Sequence, residues 1–89
     1  MKLQELLEKY IGNTEVVLAE IEIDQFIQVD NAKVNLVVET AKRYFDDAKY
    51  YRDRKQFETG LASIAYSEGL LDALKLLEVA EFSWPKKKQ

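Results

Sequence analysis

The sequence predicts an all-α protein folded as an antiparallel up-and-down three-helix bundle. Apolar residues recur at intervals of three and four along most of the 89 residues, which is the period of one helical face. Only three glycines and one proline interrupt the chain, which is typical of long helices. We place the helices at about residues 2–21, 31–54 and 57–79, and the short connections between them favour antiparallel neighbours.

The first helix is predicted from one apolar face. Its members are Leu3, Leu6, Leu7, Tyr10, Ile11, Val17, Leu18 and Ile21, with Thr14 in the missing position. The phase of this face is unchanged across Gly12-Asn13, so we predict one continuous helix rather than two. Gly12 then costs about 1 kcal/mol relative to alanine inside a helix.

Residues 22–29 have no helical period. They are rich in β-branched and aromatic residues, and the segment EIEI alternates as a strand does. A lone short strand would have no pairing partner in an otherwise helical chain. We therefore predict a connector whose apolar side chains cover the end of the bundle.

The second helix begins at Asp30, whose carboxylate can accept hydrogen bonds from the free backbone N–H groups of the first turn. Its apolar stripe consists of Val34, Val37, Val38, Ala41, Tyr44, Phe45, Ala48 and Tyr51. Charged residues occupy the opposite face. The pattern loses its phase near Arg54-Lys55-Gln56, where we predict a tight turn.

The third helix begins at about Phe57. Its second half is apolar on nearly every side, through Leu70, Leu71, Ala73, Leu74, Leu76 and Leu77. Such a helix is covered by more than one neighbour, so we predict that it is the central element or part of a dimer surface. We assign residues 1–80 to a single domain and residues 81–89 to a flexible tail.

Composition excludes several classes of protein. The chain has no histidine and no cysteine, which removes histidine-dependent nucleophiles, ordinary zinc sites and disulfides. We therefore predict no enzyme, no metal and no cofactor. A net charge of −3 disfavours nucleic acid as the main partner. Because the charged N-terminus does not resemble a signal peptide and no run could span a membrane, we expect a cytoplasmic protein without a membrane partner.

Residues 41–77, AKRYFDDAKYYRDRKQFETGLASIAYSEGLLDALKLL, carry a spaced series of aromatic, small and acidic residues. They are Tyr44, Asp47-Ala48, Tyr50-Tyr51, Phe57, Tyr66, Gly69 and Asp72-Ala73, and Lys9-Tyr10-Ile11 precedes them. This series resembles the small archaeal family of helical proteins known as domain of unknown function 357. The resemblance implies a three-helix bundle in an archaeal cytoplasm and no particular activity. The chain departs from the family at Lys55-Gln56, where Gly-Asp is usual, and at Glu78-Val79, where a glycine is expected.

A polar patch is predicted on the third helix. Glu68 and Asp72 lie one turn apart, and Lys75 follows on the same face. One interpretation is a solvated, ion-paired patch in which Asp72 pairs with Lys75. Arg43, opposite on the second helix, would then pair with Glu68. The other interpretation is a carboxylate pocket for a cation or for a partner's basic residue. Acid–base catalysis has the least support, because no nucleophile or oxyanion donor accompanies the carboxylates.

Gly69 interrupts the third helix, and a glycine inside a helix needs a physical reason. We predict that it lets the second helix approach closely, near Phe45. Access for a ligand is the alternative.

A candidate interface collects apolar residues that a three-helix monomer would leave uncovered. They are Leu36, Tyr50, Leu70, Leu74 and Trp84. Scattered exposed apolar residues are common and explain the set without a partner. An interface with a second copy or with another protein is the other explanation. Tyr44 and Tyr51, in contrast, are predicted in the core with their hydroxyl groups at its rim.

The leading hypothesis is a small non-enzymatic helical module that binds another protein or a second copy of itself. It depends on the apolar surplus of the third helix and on the absence of recognisable catalytic groups. The alternative is an accessory nucleotide- or RNA-associated domain that uses Arg43, the tyrosines and the basic run Lys86–Lys88. Trp84 would then stack on a base.

Overall fold

The computed structural model describes residues 2–23 and 30–85. The elements in chain order are α1 (Leu3–Glu20), β1 (Glu22–Ile23), α2 (Asn31–Asp53), α3 (Phe57–Leu76) and β2 (Ala80–Glu81). The helices pack against one another, α3 against both α1 and α2, so the predicted three-helix bundle is confirmed. Each helix ends within three residues of its predicted end. Residues 24–29 of the predicted connector lie outside the described residues.

One face of α1 is buried, as its period predicts. The buried residues are Leu7, Ile11, Thr14 and Val17, at intervals of three or four. Gly12 lies on the exposed side, and the helix continues through it without a break. Residues of all three helices form the cluster of the core nearest the α2–α3 turn: Leu7, Ile11, Phe45, Ala48 and Ile64.

Asp30 caps α2, as predicted. Its Oδ1 accepts a hydrogen bond from the backbone N–H of Ala32 at 3.0 Å. The bond satisfies one of the free donors at the start of the helix. The buried face of α2 comprises Val34, Val38, Ala41, Phe45 and Ala48. Tyr44 and Tyr51 are half-buried at the edge of this face.

The core-facing side of α3 carries small as well as large residues: Gly60, Ile64, Ser67, Leu71 and Leu74. Both neighbouring helices pack on this side. The opposite side of α3 is exposed, with Leu76 83% and Leu77 68% accessible. The prediction that α3 has more than one neighbour is confirmed, and the side that faces neither neighbour stays exposed because a three-helix bundle gives each helix only two neighbours.

Gly60 permits the close approach of α1 to α3. A Cβ atom at this position would lie 2.6 Å from Leu7 Cδ2 and 3.4 Å from the carbonyl oxygen of Ala48. A Cβ atom at Gly69 would meet no atom within 4 Å, and Gly69 is exposed. The predicted packing of Gly69 near Phe45 is therefore wrong, because Gly69 faces away from the bundle. Gly60 has the role predicted for Gly69.

Lys55 ends α2 in the left-handed backbone conformation, with φ 60°. The backbone N–H of Lys55 donates to the Arg52 carbonyl oxygen at 3.0 Å. The N–H of Gln56 donates to the Tyr51 carbonyl oxygen at 2.8 Å. This pair of bonds is the Schellman motif, in which the left-handed position is usually a glycine.

Glu78 repeats the same geometry after α3, with φ 59°. Its N–H donates to the Lys75 carbonyl oxygen at 2.9 Å, and the N–H of Val79 donates to the Leu74 carbonyl oxygen at 3.1 Å. Val79 and Leu74 also belong to one buried cluster, and this apolar contact often accompanies the motif. Lys55 and Glu78 thus occupy two turns at which the family resemblance led us to expect glycine.

The chain after α3 returns to pair with the segment after α1. β1 and β2 are antiparallel, with Glu22 opposite Glu81 and Ile23 opposite Ala80. The predicted connector therefore begins with two strand residues. Their pairing partner comes from beyond α3, a region that the sequence analysis assigned to the end of the helix and the tail. Val79 and Ala80 are buried and close this end of the bundle.

Residues 82–85 lie against the bundle. Phe82 and Trp84 contact each other edge to face, with ring centroids 5.3 Å apart. Both rings pack on a buried cluster made of Val17, Ala41 and Leu71. The first residues of the predicted tail therefore contact the packed domain. Residues 86–89 lie outside the described residues.

Candidate functional site

The C-terminal segment contacts two members of the predicted polar patch. The indole N–H of Trp84 donates a hydrogen bond to Oδ1 of Asp72. The Nζ atom of Lys75 lies 5.4 Å from the centroid of the Phe82 ring, a cation–π contact. Asp72 and Lys75 thus bind aromatic residues of the segment after β2, where the sequence analysis expected them to pair with each other.

The remaining members of the patch lie on α2 and α3. Arg43 is exposed, and its Nη2 lies 3.5 Å from Thr40 Oγ1. Glu68 is half-buried on α3. Within residues 2–23 and 30–85, no three acidic side chains are grouped so that they could hold a metal ion. The interpretation of Glu68 and Asp72 as a pocket, which involves two carboxylates, stays a prediction.

The side of α3 that faces away from the bundle is apolar along most of its length. It consists of Ala62, Ala65, Tyr66, Gly69, Ala73, Leu76 and the C-cap residue Leu77, all of them exposed. At 100° per residue these positions fall within an arc of about 120°. We call this surface the α3 outward face.

A shallow groove of about 430 Å³ lies in the N-terminal half of the α3 outward face. It is lined by Ala62, Ala65, Tyr66, Gly69 and Leu70. The small residues of the face follow one another at intervals of three or four, so they lie in line along the helix axis. Small side chains in line permit another helix to approach the α3 backbone closely.

Tyr66 forms one wall of this groove. Its ring stacks on the ring of Tyr44 from α2, with centroids 5.3 Å apart and planes 23° apart. Tyr66 is nevertheless 66% exposed. Because stacking on Tyr44 positions the ring, the wall exists before any ligand arrives.

The structure divides the predicted interface residues among different environments. Leu74 is 3% exposed and belongs to the core, so its assignment to a surface is corrected: its position on α3 faces α2. Leu36 and Tyr50 are exposed on α2, about 21 Å apart along its axis. Trp84 is half-buried against the core. Leu70 is half-buried and adjoins the α3 outward face.

Sequence reasoning missed Ala62 and Ala65 as members of a surface. The core-facing side of α3 contains the equally small Gly60 and Ser67, so both sides carry small residues and the sequence pattern does not identify the exposed side. The available signal was the spacing of small residues along α3 at intervals of three, four and four. That spacing selects one side of a helix.

No helix among the described residues is both long and apolar enough to cross a membrane.

Comparison with known proteins gives a family and no close individual relative. No curated protein and no solved structure matches the chain. A family model described as "Protein of unknown function (DUF357)" matches residues 9–80, from the first half of α1 to β2. Because this match covers most of the chain and all of α2 and α3, the protein belongs to the DUF357 family.

Proposed function

We propose that this protein is a small non-enzymatic helical module that binds another protein chain through the α3 outward face. The observation that carries the proposal is the exposure of Tyr66, Leu76 and Leu77 in line with four small residues on one side of α3. Continuous apolar surface of this kind commonly marks a protein–protein contact. Covering it stabilises a complex by about 25 cal/mol for each Å² of apolar surface removed from water.

The shape of the face suits an α-helical ligand. The face runs from Ala62 to Leu77, about 22 Å along the helix axis or about four turns. The small residues along its middle permit a close interaxial distance, and Tyr66 and Leu70 form walls that fit between the side chains of a ligand helix. An amphipathic helix of about 15 residues would cover it.

The polar contacts of α3 support a binding role over catalysis. Asp72 accepts the Trp84 hydrogen bond, and Lys75 lies over the Phe82 ring. Both side chains therefore hold the C-terminal segment on the bundle. A general acid or base must instead reach the proton that it transfers on a substrate.

The alternative function is association with RNA or a nucleotide, and it depends on Arg43, the tyrosines and residues 86–88. Arg43 and Tyr44 line a depression that also contains Asp46 and Asp47. Two carboxylates in that position oppose the approach of a phosphate. Binding to labelled RNA at low salt that weakens steeply as salt rises would favour the alternative.

The proposed function is tested by capture of partners from native extract with three forms of the full chain. One has the natural sequence. The second carries Ala65→Glu and Ala73→Glu on the α3 outward face, and the third carries Ala19→Glu and Ala32→Glu at exposed positions of α1 and α2. Both variants add the same charge to exposed alanines, so they differ in location alone.

We expect a protein that the natural chain and the third form capture to be lost from the second form. Circular dichroism checks that all three forms have the same helix content. Equal capture by all three forms would contradict the use of this face.

A further inference from the structure

We propose that the segment after β2 is a strap, held closed by the bond from Trp84 to Asp72, that opens while the three helices stay folded. We call residues 82–85 the C-terminal strap. The inference goes beyond the proposed function, because it concerns the surface beneath the strap and not the α3 outward face. In the closed form, both aromatic rings of the strap lie on the buried cluster of Val17, Ala41 and Leu71.

Within the described part of the chain, side chains hold the C-terminal strap in place. No backbone-to-backbone hydrogen bond there involves residues 82–85. The attachments are the hydrogen bond from Trp84 to Asp72, the contact of Lys75 with the Phe82 ring, and the packing of the two half-buried aromatic residues. Opening therefore breaks no backbone hydrogen bond of the helices or of the β1–β2 pair, and a segment of this kind opens locally at low cost.

The chain before the strap is anchored separately. Ala80 is 3% exposed in a buried cluster on which no strap residue packs. Glu81 is paired with β1. The cluster nearest the α2–α3 turn, which includes Leu7 and Ile64, also has no contact with the strap. Movement therefore begins at Phe82 and leaves most of the core closed.

Opening changes what the bundle presents to other molecules. The carboxylate of Asp72 and the ammonium group of Lys75 lose their contacts with the strap. Val17 and Leu71, which are fully buried in the closed form, lose their cover of aromatic rings. The open form therefore has a second exposed apolar surface, with one acidic and one basic group beside it. Exposed apolar surface of this kind commonly marks an interaction site, so the strap controls access to that surface as an autoinhibitory segment does.

Single introduced thiols test the inference, because the natural chain has no cysteine. Val17→Cys places a thiol beneath the strap, and Ile64→Cys places one in the cluster that the strap does not touch. Both replace a fully buried β-branched side chain, so Ile64→Cys is the matched control. The measurement is the rate at which each full-length variant reacts with a thiol reagent at several urea concentrations. Circular dichroism checks that the helices are folded.

We expect Val17→Cys to react at least roughly 100-fold faster than Ile64→Cys in the absence of urea. The rate of Val17→Cys should depend weakly on urea, because opening the strap exposes little surface. The rate of Ile64→Cys should rise steeply with urea, because that thiol becomes accessible only when the helices unfold. Equal rates with equal dependence on urea would overturn the inference, since the strap would then leave the bundle only on unfolding.

A second comparison uses the natural chain and so does not depend on the folding of a variant. Trp84 is the only tryptophan, and its indole N–H is the donor to Asp72. Hydrogen exchange followed by nuclear magnetic resonance measures this N–H and the backbone N–H of Ile64 in one sample. We expect exchange of the indole N–H to depend weakly on urea and exchange at Ile64 to depend on it steeply. The same steep dependence at both sites would contradict independent opening.

The role of Asp72 is tested by adding Asp72→Asn to Val17→Cys. The neutral amide accepts a weaker hydrogen bond from Trp84, so the strap should open more often and the thiol should react roughly tenfold faster. Asp47→Asn makes the same change at an exposed position of α2 and should leave the rate unchanged. A rate that is indifferent to Asp72→Asn would overturn the inference that this bond holds the strap closed.

Discussion

The indole N–H of Trp84 donates a hydrogen bond to the carboxylate of Asp72 and so joins the C-terminal segment to α3. The Phe82 ring contacts the Trp84 ring edge to face, and the ammonium group of Lys75 lies over the Phe82 ring. Both rings lie on a buried cluster contributed by all three helices. The segment after β2 therefore contributes to the stability of the bundle.

Trp84→Phe is expected to lower the free energy of unfolding by about 1–2 kcal/mol, because it removes a hydrogen bond to a charged group at a half-buried site. Asp72→Asn should have a similar effect, and the double variant should lose less than the sum, because the two residues share one bond. Urea denaturation followed by circular dichroism measures each value. Ser83→Ala, exposed on the same segment, is the control and should stay within about 0.5 kcal/mol of the natural chain. Additive losses would contradict a direct bond.

Lys55→Gly and Glu78→Gly are each expected to raise the free energy of unfolding by about 0.5–1 kcal/mol. Both residues have positive φ, where a Cβ atom is unfavourable and glycine is not. Thermal and urea denaturation measure the gain. Lys55→Ala removes the charge and keeps the Cβ atom, so it should not stabilise the protein. A gain from alanine equal to that from glycine would mean that charge, and not backbone conformation, is responsible.

Gly60→Ala and Gly69→Ala are expected to have opposite effects. At Gly60 the added methyl group meets the fully buried Leu7, and the overpacking should outweigh the gain in helix propensity by about 1 kcal/mol. At Gly69 the methyl group meets no atom, so the variant monomer should gain about 0.5–1 kcal/mol. Denaturation at a concentration low enough for monomers gives both values. A stabilising Gly60→Ala would show that Leu7 adapts without cost.

Thr14→Val should stabilise the protein by about 1 kcal/mol. The Thr14 hydroxyl is fully buried and has no hydrogen-bond partner among the described residues, whereas valine has nearly the same shape without a polar atom. Ser67→Ala is the matched comparison, because the buried Ser67 hydroxyl donates to the Ala41 carbonyl oxygen at 2.8 Å. Its loss should cost about 1 kcal/mol. A destabilising Thr14→Val would indicate that the hydroxyl has a partner after all.

The positions of the helices could be predicted from the sequence because helical periodicity is a local property. The face that contains Leu7, Ile11 and Val17 has the same phase in the sequence and in the structure. The Asp30 cap also needs only neighbouring backbone groups, since its partner Ala32 is two residues away. The histidine- and cysteine-dependent classes of site are excluded by composition alone.

The pairing of Glu22–Ile23 with Ala80–Glu81 could not be predicted in the same way. Its two halves are far apart in the chain, and each is too short to show a pattern of its own. The contact of Trp84 with Asp72 depends on that pairing, because β2 directs the segment that follows it. Both contacts exist only in the folded chain, because the helices bring together residues that are distant in the sequence.

The sequence by itself determined that α3 is a long apolar helix, and tertiary structure decided which of its sides is buried. Gly60 and Ser67 on one side are as small as Ala62 and Ala65 on the other, so residue size does not show which side is buried. The two sides differ because the side chain of Leu7 from α1 occupies the place that a side chain at Gly60 would take. With the Gly60 side packed against α1, the other small residues, Gly69 among them, face outward and form the surface that we propose as the binding site.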